Sequence, residues 1–238
     1  MQRRDFSRSL LAAGASVGLG LTPALAQRIA PKEGVDYIRL GKPAPTDSPA
    51  GQVEVVEFFA YSCVHCYNFE PLFEDWIQKK PANVTVKRVP VAFSQAFVPM
   101  QRLYYTLEDM QLVDKLHGPF FKAIHADRQP LTTPANITEW VVKQGVDRAK
   151  FTEVYNSGAI NTRAQRATAL QEAYAVEGTP ALGVAGKYYI GGQGPRQPLR
   201  CQSLVPSLAP GGNGQPPAGR PPADGGGALI SSRWSARR

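Results

Sequence analysis

The apolar positions of this chain change their period several times, and each change marks an element. From Val53 to Phe59 the residues are β-branched or aromatic almost without a break, the pattern of a buried strand. Immediately afterwards Cys66, Phe69, Phe73, Trp76 and Ile77 recur at helical spacing, so a helix starts at Cys63 and runs to about Lys79. Pro71 lies inside it, where it removes one hydrogen bond and bends the axis. Upstream, residues 27–51 are rich in proline and small residues and hold one short strand candidate, Tyr37 to Leu40, expected at a sheet edge. Val84 to Val89 reads as the next strand.

From Pro99 to about Asn156 the pattern is helical throughout. One helix carries Leu103, Tyr104, Leu107 and Met110, and a second runs from about Leu112 to His125. Thr133-Pro134 is a cap followed by a first-turn proline, opening a helix that stops at Gly145, and Asp147 caps another through Phe151, Val154 and Tyr155. A further helix is expected from Ile160 to Ala175, with Ile160, Ala164, Ala167 and Leu170 in one stripe. The strand pattern then resumes in Val176 to Ile190 as a loop, a strand, a tight turn and a second strand. His117 and His125 read as helix-surface or packing residues.

Composition alters this picture mainly at the two ends. The formal net charge of +8 over 238 residues divides into +2 for residues 1–26, +5 for 191–238 and only +1 for the patterned part, which excludes a basic nucleic-acid-binding face there. Residues 1–26 have basic Arg3, Arg4 and Arg8, an apolar stretch from Leu10 to Leu21 and a small-x-small close at Ala24-Leu25-Ala26, the layout of a signal peptide. No run reaches the roughly 20 apolar residues of a membrane helix, so a chain that is not itself membrane-spanning is expected. After Ile190 the text becomes rich in glycine, proline and arginine, a composition expected to stay disordered, with Cys201 as an accidental free thiol. A frame change and a genuine flexible tail both account for it.

The candidate chemistry sits at the strand-to-helix junction. Cys63-Val64-His65-Cys66 places a thiol at a helix N-terminus, where unpartnered N–H groups and the helix dipole favour the thiolate. His65 offers a further donor or positive charge, and the C-x-x-C spacing lets Cys66 attack a mixed disulfide from one turn away. Thiol–disulfide exchange is the chemistry implied. A zinc site would need further ligands, for which only the scattered His117, His125 and Cys201 remain. Glu57 on the strand has two readings: it ends at the sheet surface, or it is buried beneath the cysteines with a raised pKa and manages the proton on Cys66, with Lys87 or Arg88 as partner.

Glu57-Phe-Phe-x-Tyr-Ser-Cys63-x-His-Cys66-Tyr, followed far downstream by Gly178-Thr-Pro180-Ala-Leu, resembles the DsbA-type thiol:disulfide oxidoreductases of the thioredoxin superfamily. Val64 stands where that family usually has proline. The resemblance covers about Tyr37 to Ile190. It implies an α/β thioredoxin-like fold with an inserted all-helical domain, and catalytic roles for Cys63, Cys66, His65 and Glu57. It also sets Pro180, as a cis proline, beside Cys63, with the Thr179 backbone free to bind substrate. The expected organisation is a signal peptide (1–26), a first thioredoxin-like part (27–98), a helical insertion (99–159), a second thioredoxin-like part (160–190) and a disordered tail (191–238) in place of the family's C-terminal helix. Also implied are periplasmic location, reduced exported proteins as substrates, reoxidation by a quinone-linked membrane partner of the DsbB type, and no bound cofactor or metal. A reductase or isomerase of the same fold and a chaperone-like binding module are the competing readings.

Overall fold

The computed structural model describes residues 31–191. The signal-peptide reading of 1–26, the tail reading of 191–238 from Gly192 onward, and Cys201 lie outside them. Five strands form one mixed sheet in the order β1 (Ile38–Arg39), β5 (Tyr188–Ile190), β4 (Ala181–Val184), β2 (Val53–Phe59), β3 (Val84–Pro90). β2 and β3 are parallel, with Glu57 opposite Arg88, while β4 runs antiparallel to β2 with Leu182 opposite Glu57. The short lead-in strand lies at the sheet edge, as its sequence suggested, paired antiparallel with β5.

All seven residues of β2 are buried, which is what its nearly uninterrupted apolar run demands of a central strand covered on both faces. One face packs Val53 and Val55 with Val84, Leu182, Val184 and Ile190 against Phe69, Phe73 and Trp76 of helix α1 (Val64–Lys79). Alternation along the strand turns Val56 and Phe58 to the opposite face, where the Phe58 ring lies 5.1 Å from Tyr174. Phe59 joins the sheet to the helices, with its ring within 6 Å of Tyr61, Tyr104, His117 and Phe121. Each such buried aromatic contributes on the order of 2 kcal/mol through lost apolar exposure.

Between β3 and β4 come only helices: α2 (Val98–Asp109), α3 (Val113–His125), α4 (Pro134–Lys143), α5 (Arg148–Tyr155) and α6 (Gly158–Ala173). The caps legible in the sequence are made: the Thr133 hydroxyl accepts from the Asn136 N–H at 3.2 Å and the Asp147 carboxylate from the Lys150 N–H at 2.8 Å. α6 begins and ends two residues earlier than its apolar stripe indicated. Ser157 supplies the reason at one end, accepting from the Ile160 N–H at 3.3 Å, and Ala175 at the other, with its φ of +50° outside the helical region. No helix among the described residues is long and apolar enough to cross a membrane.

Candidate functional site

Cys63 is the N-cap residue of α1, its backbone extended (φ −90°, ψ 115°) while the next residue is already helical. The strand delivers it there because β2 ends at Phe59 and the Ala60 carbonyl closes a turn by accepting from the Cys63 N–H at 3.0 Å. Cys63 is partly exposed and Cys66, one turn further, is fully buried; both are free thiols. The Cys63 thiol donates to the Thr179 carbonyl at 3.3 Å, across 116 residues of sequence. Thr179, whose carbonyl accepts from Cys63, precedes Pro180 through a cis peptide bond.

The two thiols are opposites in acidity. Cys63 is lowered to about 5 from its ordinary 9.0: the Cys66 thiol donates to its sulfur, the Thr179 side chain and the Cys66 and His65 backbone N–H groups add to this, and partial burial opposes it. Cys66 is pushed far upward by burial, and its hydrogen bond to Cys63 and the Cys63 charge push the same way. Either sulfur can hold the shared proton, but the exposed one at the helix terminus gives it up first. His65 contributes through its backbone; its imidazole is exposed and makes no hydrogen bond among the described residues, so the side-chain donor expected from the motif is not formed here.

Glu57 is wholly buried, which rules out the reading that it ends at the sheet surface. Of the two partners considered, Arg88 is the one, donating from Nε to Glu57 Oε2 at 3.0 Å; Lys87 alternates to the other face and meets Asp47 at 2.5 Å. The same guanidinium donates to Glu70 at 2.8 Å and Glu74 at 2.6 Å. One positive charge serves three carboxylates, and the most buried carries the deficit. Desolvation pushes Glu57 up to about 8 against the pull of Arg88, with the Glu70 and Glu74 charges adding to the rise. Glu57 is therefore largely protonated at neutral pH, and its Oε1, which no donor reaches, is the free place for that proton.

The residue readings missed half of this cluster. Glu70 lies on the buried stripe of α1, four residues after Cys66, and a charge on an apolar stripe was the available signal. Its Oε2 is 3.3 Å from Nε2 of His117, whose Nδ1 is 2.7 Å from the buried Tyr61 hydroxyl. Tyr61 precedes the dithiol by two residues, so a polar chain runs from beneath β2 through Arg88, Glu70 and His117 back to the active-site turn. His125 bonds the Tyr61 carbonyl at 2.8 Å and stacks on Tyr67 at 5.3 Å. Both histidines are thus packing residues that carry specific polar contacts. No cluster of three or more His, Cys, Asp or Glu suited to a metal ion occurs among the described residues.

A mixed sheet that leads from its central strand into a C-x-x-C helix, with the carbonyl before a cis proline on the first cysteine, defines a thioredoxin-like thiol:disulfide oxidoreductase. Residues 88–199 match the DSBA-like thioredoxin domain family. The chain is similar to the thiol:disulfide interchange protein DsbA of Bordetella pertussis, 44% identical over 188 residues that cover 79% of this chain and 87% of the relative. It is also similar to DsbA of Burkholderia cepacia, 40% identical over 74% of this chain and 84% of the relative. Among solved structures, Pseudomonas aeruginosa DsbA superposes with a TM-score of 0.65 at 36% identity, covering 71% of this chain and 88% of that one. DsbA of Xylella fastidiosa does so with 0.69 at 28%, covering 74% and 96%. The chain belongs to the DsbA family of thiol:disulfide oxidoreductases. The binding-module and reductase readings are not favoured by these relatives.

Proposed function

We propose that the chain donates a disulfide to reduced exported proteins through Cys63 and Cys66. The observation that carries this reading is the asymmetry of the two thiols, Cys63 lowered to about 5 and Cys66 pushed far above its ordinary value. A substrate thiolate attacks Cys63 Sγ of the oxidised protein; the Cys63–Cys66 bond breaks, and Cys66 leaves with the electron pair and takes up a proton, which burial favours. A second substrate thiolate then attacks the substrate sulfur of the mixed disulfide and expels Cys63 as a thiolate. That departure needs no proton and is assisted by every donor around the Cys63 sulfur. Stabilising the reduced form makes the disulfide an oxidant.

Glu57, protonated and buried under the strand that leads to the dithiol, is assigned to the proton that Cys66 exchanges. The supporting facts are its raised pKa and its unpartnered Oε1. His65 is assigned to the site through its backbone N–H. Thr179 and Pro180 form the rim against which an extended substrate segment lies, pairing with the Thr179 backbone. Location in the periplasm, the signal peptide, the division into a thioredoxin-like domain with a helical insertion at 99–159, and reoxidation by a DsbB-type membrane partner complete the proposal by family likeness. Chemistry at the two cysteines alone accounts for the exchange, with no cofactor. Replacing Cys66 with serine is expected to trap mixed disulfides with substrates, seen on non-reducing gels, while Cys63→Ser traps none and abolishes exchange. Equal trapping by both variants would overturn the assignment of Cys63 as the nucleophile.

A further inference from the structure

A cavity of about 500 Å³ lies away from the dithiol. It opens on the sheet face opposite α1, framed by Pro45 and Asp47 of the lead-in segment, β3, α2 and α6. Its volume is in the range of small-molecule sites. Its floor is apolar, from Val89, Tyr105 and Leu170, and Ala167 and Ala169 leave the space that larger side chains would fill. Arg163, Arg166, Ala167 and Leu170 follow the i, i+3, i+4, i+7 spacing, so α6 presents one face to the opening.

The charges at the mouth are unequal. Asp47 is already answered by Lys87 at 2.5 Å, and Glu108 by Arg163, whose guanidinium also lies over the Tyr105 ring at 4.9 Å from its centroid. Arg88, though its strand lines the cavity, sends its guanidinium to the α1 side. Arg166 alone among these cations makes no ion pair within 4.0 Å among the described residues. Lys87 chiefly holds the Asp47 carboxyl below its ordinary range, and the Arg166 charge adds to it. The rim is stiff as well: the Asp47 N–H donates to buried Glu54 Oε2 at 2.9 Å, and Ser48 bonds Thr85 across to β3.

We propose that this cavity binds a small organic monoanion, a carboxylate on an apolar body, with Arg166 taking the headgroup and the Val89, Tyr105, Ala167 and Leu170 surface taking the body. A planar guanidinium with unused donors matches a carboxylate in two parallel hydrogen bonds, and the paired Lys87 and Arg163 flank it without competing acids left over. A dianion finds only one uncommitted charge, and a neutral apolar molecule leaves that charge unused.

The test uses octanoate as probe on the purified protein, followed by calorimetry and by amide shifts, with acetate and octan-1-ol as the two halves of the ligand. Octanoate is expected to bind one per chain, acetate and octan-1-ol each at least tenfold more weakly. Arg166→Gln is expected to weaken octanoate about tenfold, equivalent to about 1.4 kcal/mol, with octan-1-ol unchanged. Ala169→Phe, at an exposed position on the rim, is expected to abolish octanoate binding by filling the mouth, with the melting temperature of both variants kept. No saturable octanoate binding in the millimolar range, or octanoate binding that survives both substitutions, would overturn the proposal.

Discussion

Replacing Thr179 by valine tests the origin of the Cys63 acidity with the least disturbance of shape. The Thr179 side chain is one of the donors that lower Cys63 to about 5, whereas the Thr179 carbonyl, 3.3 Å from Cys63 Sγ, only accepts and so serves the protonated thiol. Valine keeps the branched side chain and that carbonyl and removes the hydroxyl. A hydrogen bond to a charged group contributes about 1.5–3 kcal/mol. Cys63 is only half-buried and water replaces part of what is lost, so about 1.4 kcal/mol is the reasonable share, which is one pH unit. The thiolate absorbance of the reduced protein, titrated against pH, is therefore expected to show its midpoint move from about 5 to about 6. At neutral pH the reduced form loses the same stabilisation, and the equilibrium with glutathione is expected to make the disulfide less oxidising by about 30 mV. An unmoved midpoint would remove the hydroxyl from the set of donors and leave the acidity to Cys66 and the helix N-terminus.

Glu57→Gln is expected to stabilise the oxidised protein at pH 8 and above by about 1 kcal/mol, since glutamine still accepts from Arg88 without burying a charge. Glu57 is raised from 4.5 to about 8, so its favourable contribution is fully present below pH 4.5 and lost as pH rises through about 8; urea unfolding of the oxidised form is expected to show that slope in the parent and not in the variant. In the reduced form Cys63 adds the opposite slope. Its depressed pKa contributes stability present above about 9 and lost as pH falls through about 5, so reduced minus oxidised stability is expected to rise with pH across that window. His117→Phe keeps the ring packing but strands the buried Tyr61 hydroxyl and removes the imidazole 3.3 Å from Glu70, a cost of about 1–3 kcal/mol by denaturant unfolding. A loss below a few tenths would mean that water replaces both contacts. Gly183→Ala in β4 would drive its Cβ into the Tyr174 ring, and overpacking of this kind costs about 1–3 kcal/mol in thermal or urea unfolding.

The residue pattern by itself determined the strand-to-helix junction and the order of the later elements. A buried run of period-free apolar text, helical stripes and side-chain caps are all local properties. Thr133, Asp147, Cys63 and Cys66 could be placed because each acts within a turn or two of its own position. Motif likeness pointed to the Thr179-Pro180 segment for the surroundings of Cys63, and the Thr179 carbonyl that meets its sulfur lies too far away in sequence for any local period to relate the two. Tertiary structure decided the rest. Lys87 and Arg88 are equivalent as text, and only the face that β3 turns towards α1 gives Glu57 the arginine and leaves the lysine to Asp47. Glu70, His117 and Tyr61 meet because α1, α3 and the active-site turn converge, so a histidine that reads as packing in its own helix becomes a buried polar contact. Arg166 acquires its significance in the same way, because the acids at the cavity mouth, Asp47 and Glu108, are already paired with Lys87 and Arg163. Hydrogen-bond and charge compensation are settled pairwise in space, and the chain records them only as residue types awaiting partners.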